Sequence, residues 1–559
     1  MSWWGDKLLM VNNHSKLSKE ELLKVIQKIK SRKKYGLIWD EERIKEKFEK
    51  ESENALPVLK EIKNKEIKTD PAKPVNILIE GDNYHALSVL NYTHQGGVDI
   101  IYIDPPYNTG NKDFKFNDTY VDKDDTYRHS KWLSFMSKRL RLAKNLLKNT
   151  GAIFISIDNN ELAQLKILCD EIFGEDNLIG LVSVAKGTTT GQDAKKFGSS
   201  ADYLLVYGMI NFIVGRIELS EKDKKRFSRK DKKGLYSILQ WRKTGNGDHR
   251  KDRPNLYYPL KAPNGKKVFP KGPTGYDSRW RGDLKRFKKL KSEGMVEWVK
   301  QDNGWRPYIK YYLEGRMKAP SNLWTDLEGN KKATIELKEI FGEKVFQNPK
   351  PTDLIKRCIQ LANISDPIVL DFFVGSGTTA QAVLDLNYQD DGNRQFIACT
   401  NNENNICAEI CYPRIKKVIT GYKNPNGLLI DGTGNNLKYF KTAFVKRSIS
   451  KDNLKIRITQ ECTEMLCLRE GIFNELKKTD DYRIFQYNGR IMAVYYSLER
   501  GELKSLKRDL DKIKGKKILY CFTLDPLGLD RDDFHDWKGI SLEPIPQKIL
   551  DIYEGIYEY

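Results

Sequence analysis

Apolar and polar positions alternate along the chain in blocks that predict strands and helices in turn. Val75 to Ile79 is an apolar run that reads as a strand, closed by the polar turn Gly81-Asp82-Asn83 and a helix from Tyr84 to Asn91. Ile100 to Ile103 is a second apolar run, short enough for a strand buried on both faces. An amphipathic helix follows over Ser130–Leu147, then a strand over Ala152–Asp158, a helix over Glu161–Phe173 and a strand over Asp202–Tyr207. Strands alternating with helices predict a parallel, doubly wound α/β sheet.

That rhythm stops at about residue 211 and resumes at about 346. Ile364 to Ala380 reads as strand, glycine-rich turn and helix, and Gln395 to Glu403 as the next strand and its loop. Beyond about 430 a smaller α/β region begins. Within it Tyr482–Tyr496 predicts a hairpin turning at Asn488-Gly489, with a helix over Glu499–Ile513 and a strand over Lys517–Thr523 after it. The first 70 residues are charged and helix-prone, with Ser18 and Glu21 spaced as a capping box and Lys186–Gly191 reading as a flexible polar loop further on. Five regions result: a helical extension over 1–70, a first half-sheet over 71–210, an insert over 211–345, a second half-sheet over 346–428, and a C-terminal α/β docking module over 429–559.

Composition sharpens the insert. The 559 residues carry a net charge of +21, which favours a polyanionic partner. Basic residues interleave with aromatics at Trp241-Arg-Lys, Arg279-Trp-Arg281 and Trp305-Arg306, a pattern suited to phosphate contact and base stacking. No apolar run is long enough to cross a bilayer and no signal-peptide core opens the chain, so a cytoplasmic protein is expected. The eight cysteines form no C-x-x-C pair, and Cys407 and Cys411 read as core thiols rather than ligands, so no metal site is expected. No phosphate-binding G-x-x-x-x-G-K-[ST] motif occurs, which argues against an ATPase motor.

The chemistry concentrates at Asp104-Pro105-Pro106-Tyr107. Two prolines cannot continue a strand's ladder, so the chain must leave the sheet where a parallel sheet opens its ligand crevice. A carboxylate and a fixed carbonyl can each accept a hydrogen bond from an exocyclic amine, freeing its lone pair, while Tyr107 stacks on the base, a contact of roughly 1–3 kcal/mol. Taken alone, the tetrapeptide reads equally well as a proline-rich turn. Gly375 and Gly377 permit close backbone approach to a ligand, but Ala380 stands where a full dinucleotide motif has glycine.

Taken together, Asp104-Pro-Pro-Tyr107 and Asp371-Phe-Phe-Val-Gly-Ser-Gly-Thr-Thr379, in that order around a long basic insert, resemble the β class of S-adenosylmethionine-dependent DNA amino-methyltransferases. The stretches 108–122, 127–135 and Arg253-Pro-Asn-Leu-Tyr-Tyr258 are similar to the modification (Mod) subunit of type III restriction–modification systems. The resemblance covers residues 75–425 and implies a Rossmann-like sheet in permuted order. It implies that Asp104, Pro105, Pro106 and Tyr107 bind and activate an adenine. It implies that Asp371, Phe373, Gly375, Ser376, Gly377, Thr378 and Thr379 line the cofactor's methionine end, with Asp104 beside them. Lys350, Pro351 and Thr352 would border the same cofactor, S-adenosylmethionine, and Asp82 and Asn83 would lie near its adenine. A carboxylate after the next strand should hold the ribose; Glu403 is the expected residue and Asn401 the reserve. The implied partners are double-stranded DNA read by the 211–345 insert, a second copy of the chain, and a separate restriction helicase–nuclease subunit. A solitary adenine methyltransferase without such a subunit is the alternative. An RNA or protein-amide substrate, or a non-enzymatic DNA-binding subunit, fits the motifs less well. None of the eight cysteines follows a proline, which argues against cytosine-ring methylation.

Overall fold

The computed structural model describes residues 39, 46, 54–110, 113–116, 119–186, 198–302, 304–448, 450–525, 528–530 and 532–557. The expected capping box at Ser18–Glu21 and most of the Lys186–Gly191 loop lie outside these residues. The described chain forms two compact units. One takes the residues up to Val214 and from Ser321 onward, and the other is Gly215–Pro320.

The larger unit is built on a ten-stranded sheet. Its strands are β1 (Ala55–Glu61), β2 (Val75–Glu80), β3 (Val98–Ile103), β4 (Leu147–Ile157), β5 (Leu178–Ala185), β6 (Ala201–Gly208), β7 (Leu323–Trp324), β8 (Ile368–Asp371), β9 (Gln395–Thr400) and β10 (Asn436–Lys446). They lie in the order β1-β10-β2-β9-β8-β3-β4-β6-β5-β7. The six strands from β10 to β4 are mutually parallel. The continuous apolar runs foretold this, since Ile100, Ile101, Ile103, Ile153 and Ile155 are all fully buried.

The flanks correct the all-parallel expectation. Strand β6 runs antiparallel to both β4 and β5, and β1 antiparallel to β10. In β5, buried positions alternate with more exposed ones, the pattern of a strand with one open face, which antiparallel pairing tolerates.

Helices α1 (Asn83–Thr93), α2 (Arg128–Leu146), α3 (Leu162–Phe173), α4 (Asn330–Phe341), α5 (Thr352–Ala362), α6 (Thr378–Asp390) and α7 (Tyr412–Thr420) accompany the sheet. Permuted order is visible in its centre. Val369 and Leu370 of β8 pair with Ile100 and Ile101 of β3. The buried Asp99 carboxylate accepts the Ile368 backbone N–H at 2.9 Å, fastening two segments 269 residues apart.

Three expected regions differ from the fold. The N-terminal region 1–70 contains a strand, β1, because Leu56, Val58 and Leu59 are apolar on both faces and pack into the core. Residues 321–345 belong with the larger unit rather than with the insert, since they carry β7 and α4. The region after 428 is not a separate module at its start, since β10 inserts between β1 and β2. Only after β10 does a second sheet form, from β11 (Asn474–Lys478), β12 (Tyr482–Tyr487), β13 (Arg490–Tyr495), β14 (Lys516–Phe522) and β15 (Ile540–Ile545), paired in chain order. Its predicted hairpin is present, and Asn488 and Gly489 both take positive φ, as a tight two-residue turn between β12 and β13 requires.

The Gly215–Pro320 unit carries a four-stranded antiparallel sheet of Arg229–Asp231, Gly234–Gln240, Gly304–Tyr312 and Val296–Gln301. Trp241 and Trp280 form its core with Leu260, Phe287 and Ile309. Those two tryptophans are therefore packing residues and are not available to stack on bases, whatever their basic neighbours suggested. No helix among the described residues is long and apolar enough to cross a membrane.

Candidate active site

Asp104 stands one residue past the end of β3, and the two prolines turn the chain away from the sheet. Two anchors hold the turn. Trp132 of α2, fully buried, donates its indole N–H to the Pro106 carbonyl at 2.7 Å. Asn108, buried and at positive φ, donates its amide to Glu161 Oε1 at 2.6 Å and to the Arg128 carbonyl at 3.2 Å. His129 Nδ1 meets the same Glu161 oxygen at 2.6 Å. Burial raises the Glu161 carboxyl above the usual range, and the Asn108 and His129 contacts pull it back only in part.

Above the turn, Lys350 joins the catalytic candidates directly. Its Nζ hydrogen-bonds the Tyr107 hydroxyl, lies 3.4 Å from Asp104 Oδ1, and sits 4.8 Å from the Tyr107 ring centroid. The same ammonium donates to Asp202 Oδ2 at 3.2 Å, and Lys186 reaches Asp202 Oδ1 at 2.6 Å. Burial pushes the Asp104 carboxyl up, against the pull of Lys350. Burial pulls the Lys350 ammonium down, but Asp104 and Asp202 outweigh it and hold it above the ordinary lysine range. Burial, then the Asp104 charge, raises the Tyr107 hydroxyl well above a free phenol.

One strand over, Asp371 ends β8. Its Oδ1 accepts the Phe373 N–H at 2.9 Å and its Oδ2 accepts the Thr379 hydroxyl. Burial pushes its pKa up to about 7 despite both donors. Gly375 and Gly377 take φ of 51° and 89°, a region that side chains strain to enter, so the turn requires glycine at both places. Arg414 of α7 clamps the turn from beneath: it donates to the Ser376 carbonyl at 3.2 Å, the Ser376 hydroxyl at 3.1 Å and the Thr378 hydroxyl at 3.0 Å.

Asp82 caps α1, accepting the Tyr84 N–H at 2.8 Å, and Asn83 donates to the Phe372 carbonyl at 3.0 Å. Arg139 of α2 supports both, donating to Asn83 Oδ1 at 2.5 Å and lying 3.6 Å from Asp82. The expected residues therefore gather at the carboxyl edge of β2, β3 and β8, where open α/β sheets bind ligands. Three stand differently from expectation. Lys350 faces Asp104 and Tyr107. The Thr352 hydroxyl is spent on Glu336, at 3.2 Å to each of its oxygens. Glu403 is exposed after β9 and pairs with Lys115 at 3.2 Å, while Asn401 accepts the Glu403 N–H at 3.3 Å. Pro351 is buried as the residue preceding α5.

The sequence reading missed Asp202, Arg414, Arg139, Trp132 and Glu161. Arg139 and Arg414 lie among other basic residues of α2 and α7, and nothing local marks them as the buried ones. A cavity of about 570 Å³ lies at the other edge of the sheet, lined by Val75, Ile77, Ile368 and Phe396 at the strands' amino ends, away from these groups.

A permuted α/β sheet that brings an Asp-Pro-Pro-Tyr turn and a Gly-x-Gly turn to one edge is the architecture of a DNA methylase. Residues 98–412, more than half of the chain, match the DNA methylase family designated N6_N4_Mtase, and the chain belongs to that family. It is similar to the type III restriction-modification enzyme StyLTI Mod subunit of Salmonella typhimurium, with 35% identity over 58% of this chain and 52% of that protein. The type III restriction-modification enzyme EcoPI Mod subunit of Escherichia phage P1 is 32% identical over 59% of this chain and 58% of that protein. The type II methyltransferase M.KpnI of Klebsiella pneumoniae is 38% identical over 58% of this chain and 79% of that protein. The chain thus spans between one half and three fifths of the length of the two Mod subunits.

Proposed function

We propose that this protein transfers a methyl group from S-adenosylmethionine to the N6 amine of an adenine flipped out of duplex DNA, as the modification subunit of a type III restriction–modification system. The observation that carries the reading is the placement of Asp104 and Asp371 at the ends of adjacent parallel strands, β3 and β8, on one sheet edge.

The residues present fit the cofactor. Asp82, Asp104 and Asp371 make the strand ends acidic, which suits a ligand carrying a sulfonium and an ammonium, and the two positive-φ glycines let the backbone approach it. When bound, S-adenosylmethionine supplies an electrophilic methyl. Asp104 and the Pro105 carbonyl each accept a hydrogen bond from the amine and free its lone pair, while Tyr107 stacks on the flipped base. Trp132 already engages the Pro106 carbonyl, so that group holds the loop instead. Flipping costs a few kcal/mol, and phosphate contacts from the basic Gly215–Pro320 unit would help offset it.

The names of two relatives, Mod subunits of type III enzymes, support a restriction partner. A second copy of the chain belongs to the same reading through family resemblance. The test is radiolabelled methyl transfer to duplex DNA by wild type and Asp104→Ala, with the modified base identified by mass spectrometry. N6-methyladenine from wild type and a loss of at least a thousandfold in the variant, with cofactor binding kept, is the expected result. Full transfer by Asp104→Ala would overturn it. Co-purification with a helicase–nuclease tests the partner, and sedimentation tests the dimer.

A further inference from the structure

Beside Asp104 lies a charge cluster that the proposed reaction does not by itself require. Two carboxylates, Asp104 and Asp202, share one ammonium, Lys350, and the second of them holds a further one, Lys186. The side chains of Lys350 and Asp202 are each only 10% exposed. Asp202 comes from β6, the antiparallel strand, and has no part in either motif turn. Lys350 has three N–H bonds and three acceptors around it: Tyr107 Oη, Asp104 Oδ1 and Asp202 Oδ2.

An ammonium beside a single buried carboxylate would close on it completely. That would hold Asp104 ionised, but it would also occupy the carboxylate that must accept from the incoming amine. Asp202 reaches the same ammonium from β6 and is the nearer of the two acids, at 3.2 Å against 3.4 Å. We infer that Asp202 is a positioning residue: by drawing the Lys350 ammonium towards β6, it leaves the Asp104 carboxylate, which that ammonium holds ionised, open to the substrate amine. This rests on the methyl-transfer reading above. Lys186 balances Asp202 from its other oxygen, so the four charges sum to zero. Ionisable groups around the cluster also include Tyr107, Asp158 past the end of β4, Tyr102 on β3, Asp371 on β8, Tyr203 on β6 and Glu328.

Two measurements test the assignment, one of which needs no turnover. The first follows Asp104 in the cofactor-free protein by carbon-13 carboxylate titration, assigned with Asp104→Asn. Asp202→Asn should move the Asp104 titration to lower pH, because a neighbouring negative charge is gone and Lys350 pairs with it alone. Lys350→Met should move it to higher pH. The second is the pH profile of methyl transfer at saturating cofactor. Asp202→Asn should lower the plateau at least tenfold and move the acidic limb to lower pH, with the cofactor KM within twofold of wild type. Asp202→Glu, which keeps the charge, should retain at least a third of the rate, and Asp202→Asn/Lys350→Met should be no slower than Lys350→Met alone. An Asp104 titration unmoved by Asp202→Asn, or multiplicative losses in the double variant, would overturn the inference. If wild type methylates no DNA, the functional reading fails, and the titration alone still decides whether Asp202 governs Asp104.

Discussion

Asn83 donates its side-chain amide to the Phe372 carbonyl at 3.0 Å, joining the first turn of α1 to the residue after the end of β8. The bond links the two turns on which the cofactor's ends would rest, and Arg139 fixes the amide's orientation from behind.

Asn83→Ala should therefore weaken cofactor binding without changing the chemistry. Loss of one such bond is worth about 1 kcal/mol, or about a fivefold rise in Kd by calorimetry. The rate at saturating cofactor should stay within twofold of wild type. A fall in that rate with unchanged Kd would contradict the assignment.

On the proposed assignment, Asp371 should make cofactor affinity depend on pH. Its carboxyl titrates near 7 in the folded protein, because burial disfavours its charge. Only the ionised form attracts an ammonium, and an α-amino group loses its proton near 8. Affinity should thus rise about tenfold per pH unit below 7, peak between about 7 and 8, and fall above. Asp371→Asn should bind weakly and lose the rising limb.

The same group sets a stability trend of known sign. Its folded pKa is raised above the ordinary 3.8, so between about 4 and 7 the folded state holds more proton than the unfolded one. Its contribution is greatest below pH 4 and is lost as pH rises to about 7, at up to about 1.4 kcal/mol per unit. Cofactor-free Asp371→Asn should gain thermal stability relative to wild type between pH 5 and pH 7.5. Equal pH dependence of the two melting curves would contradict this.

Trp132→Phe keeps the ring in the core but removes the donor to the Pro106 carbonyl. Leaving a buried acceptor unpaired costs about 1–3 kcal/mol. The loss should fall on the catalytic turn, as a five- to hundredfold drop in transfer rate with cofactor Kd unchanged. Competition binding and single-turnover kinetics separate the two.

In the Gly215–Pro320 unit, a surface groove is lined by Arg226, Arg229, Tyr311 and Arg316, and Glu297 pairs with Arg229. If the unit carries the phosphate contacts, Arg226→Ala and Arg316→Ala should each weaken DNA binding for all sequences alike. Each should also lower the slope of log affinity against log salt by about one. An unchanged slope in both variants would remove the groove from the interface.

The parallel half of the sheet was legible because its strands are continuous apolar runs, and the Asp104–Tyr107 turn at a strand end because two prolines and an acid end such a run. The antiparallel flank was not, because β5 and β6 carry no turn signal that fixes direction. Asp202 was hidden for a related reason. Its meaning comes from pairing β6 with β4, and no local pattern specifies that pairing. Trp241 and Trp280 misled because arginines adjoin them, yet both rings lie in the core and Arg242 is itself buried against Asp248. Glu403 was singled out by its position after β9, yet its partner Lys115 lies 288 residues earlier, beyond the reach of any motif.

The fastening of Ile368 to Asp99 has a consequence in time. A ribosome adds about 5–20 residues per second, so roughly 15–55 seconds separate the synthesis of the two strands that make the site. During that interval the edge of β3 awaits β8 while the whole basic unit emerges between them. The nascent chain thus carries its basic unit before the strand that ends in Asp371 exists, and Asp104 and Asp371 come to one edge only after both halves of the sheet have been made.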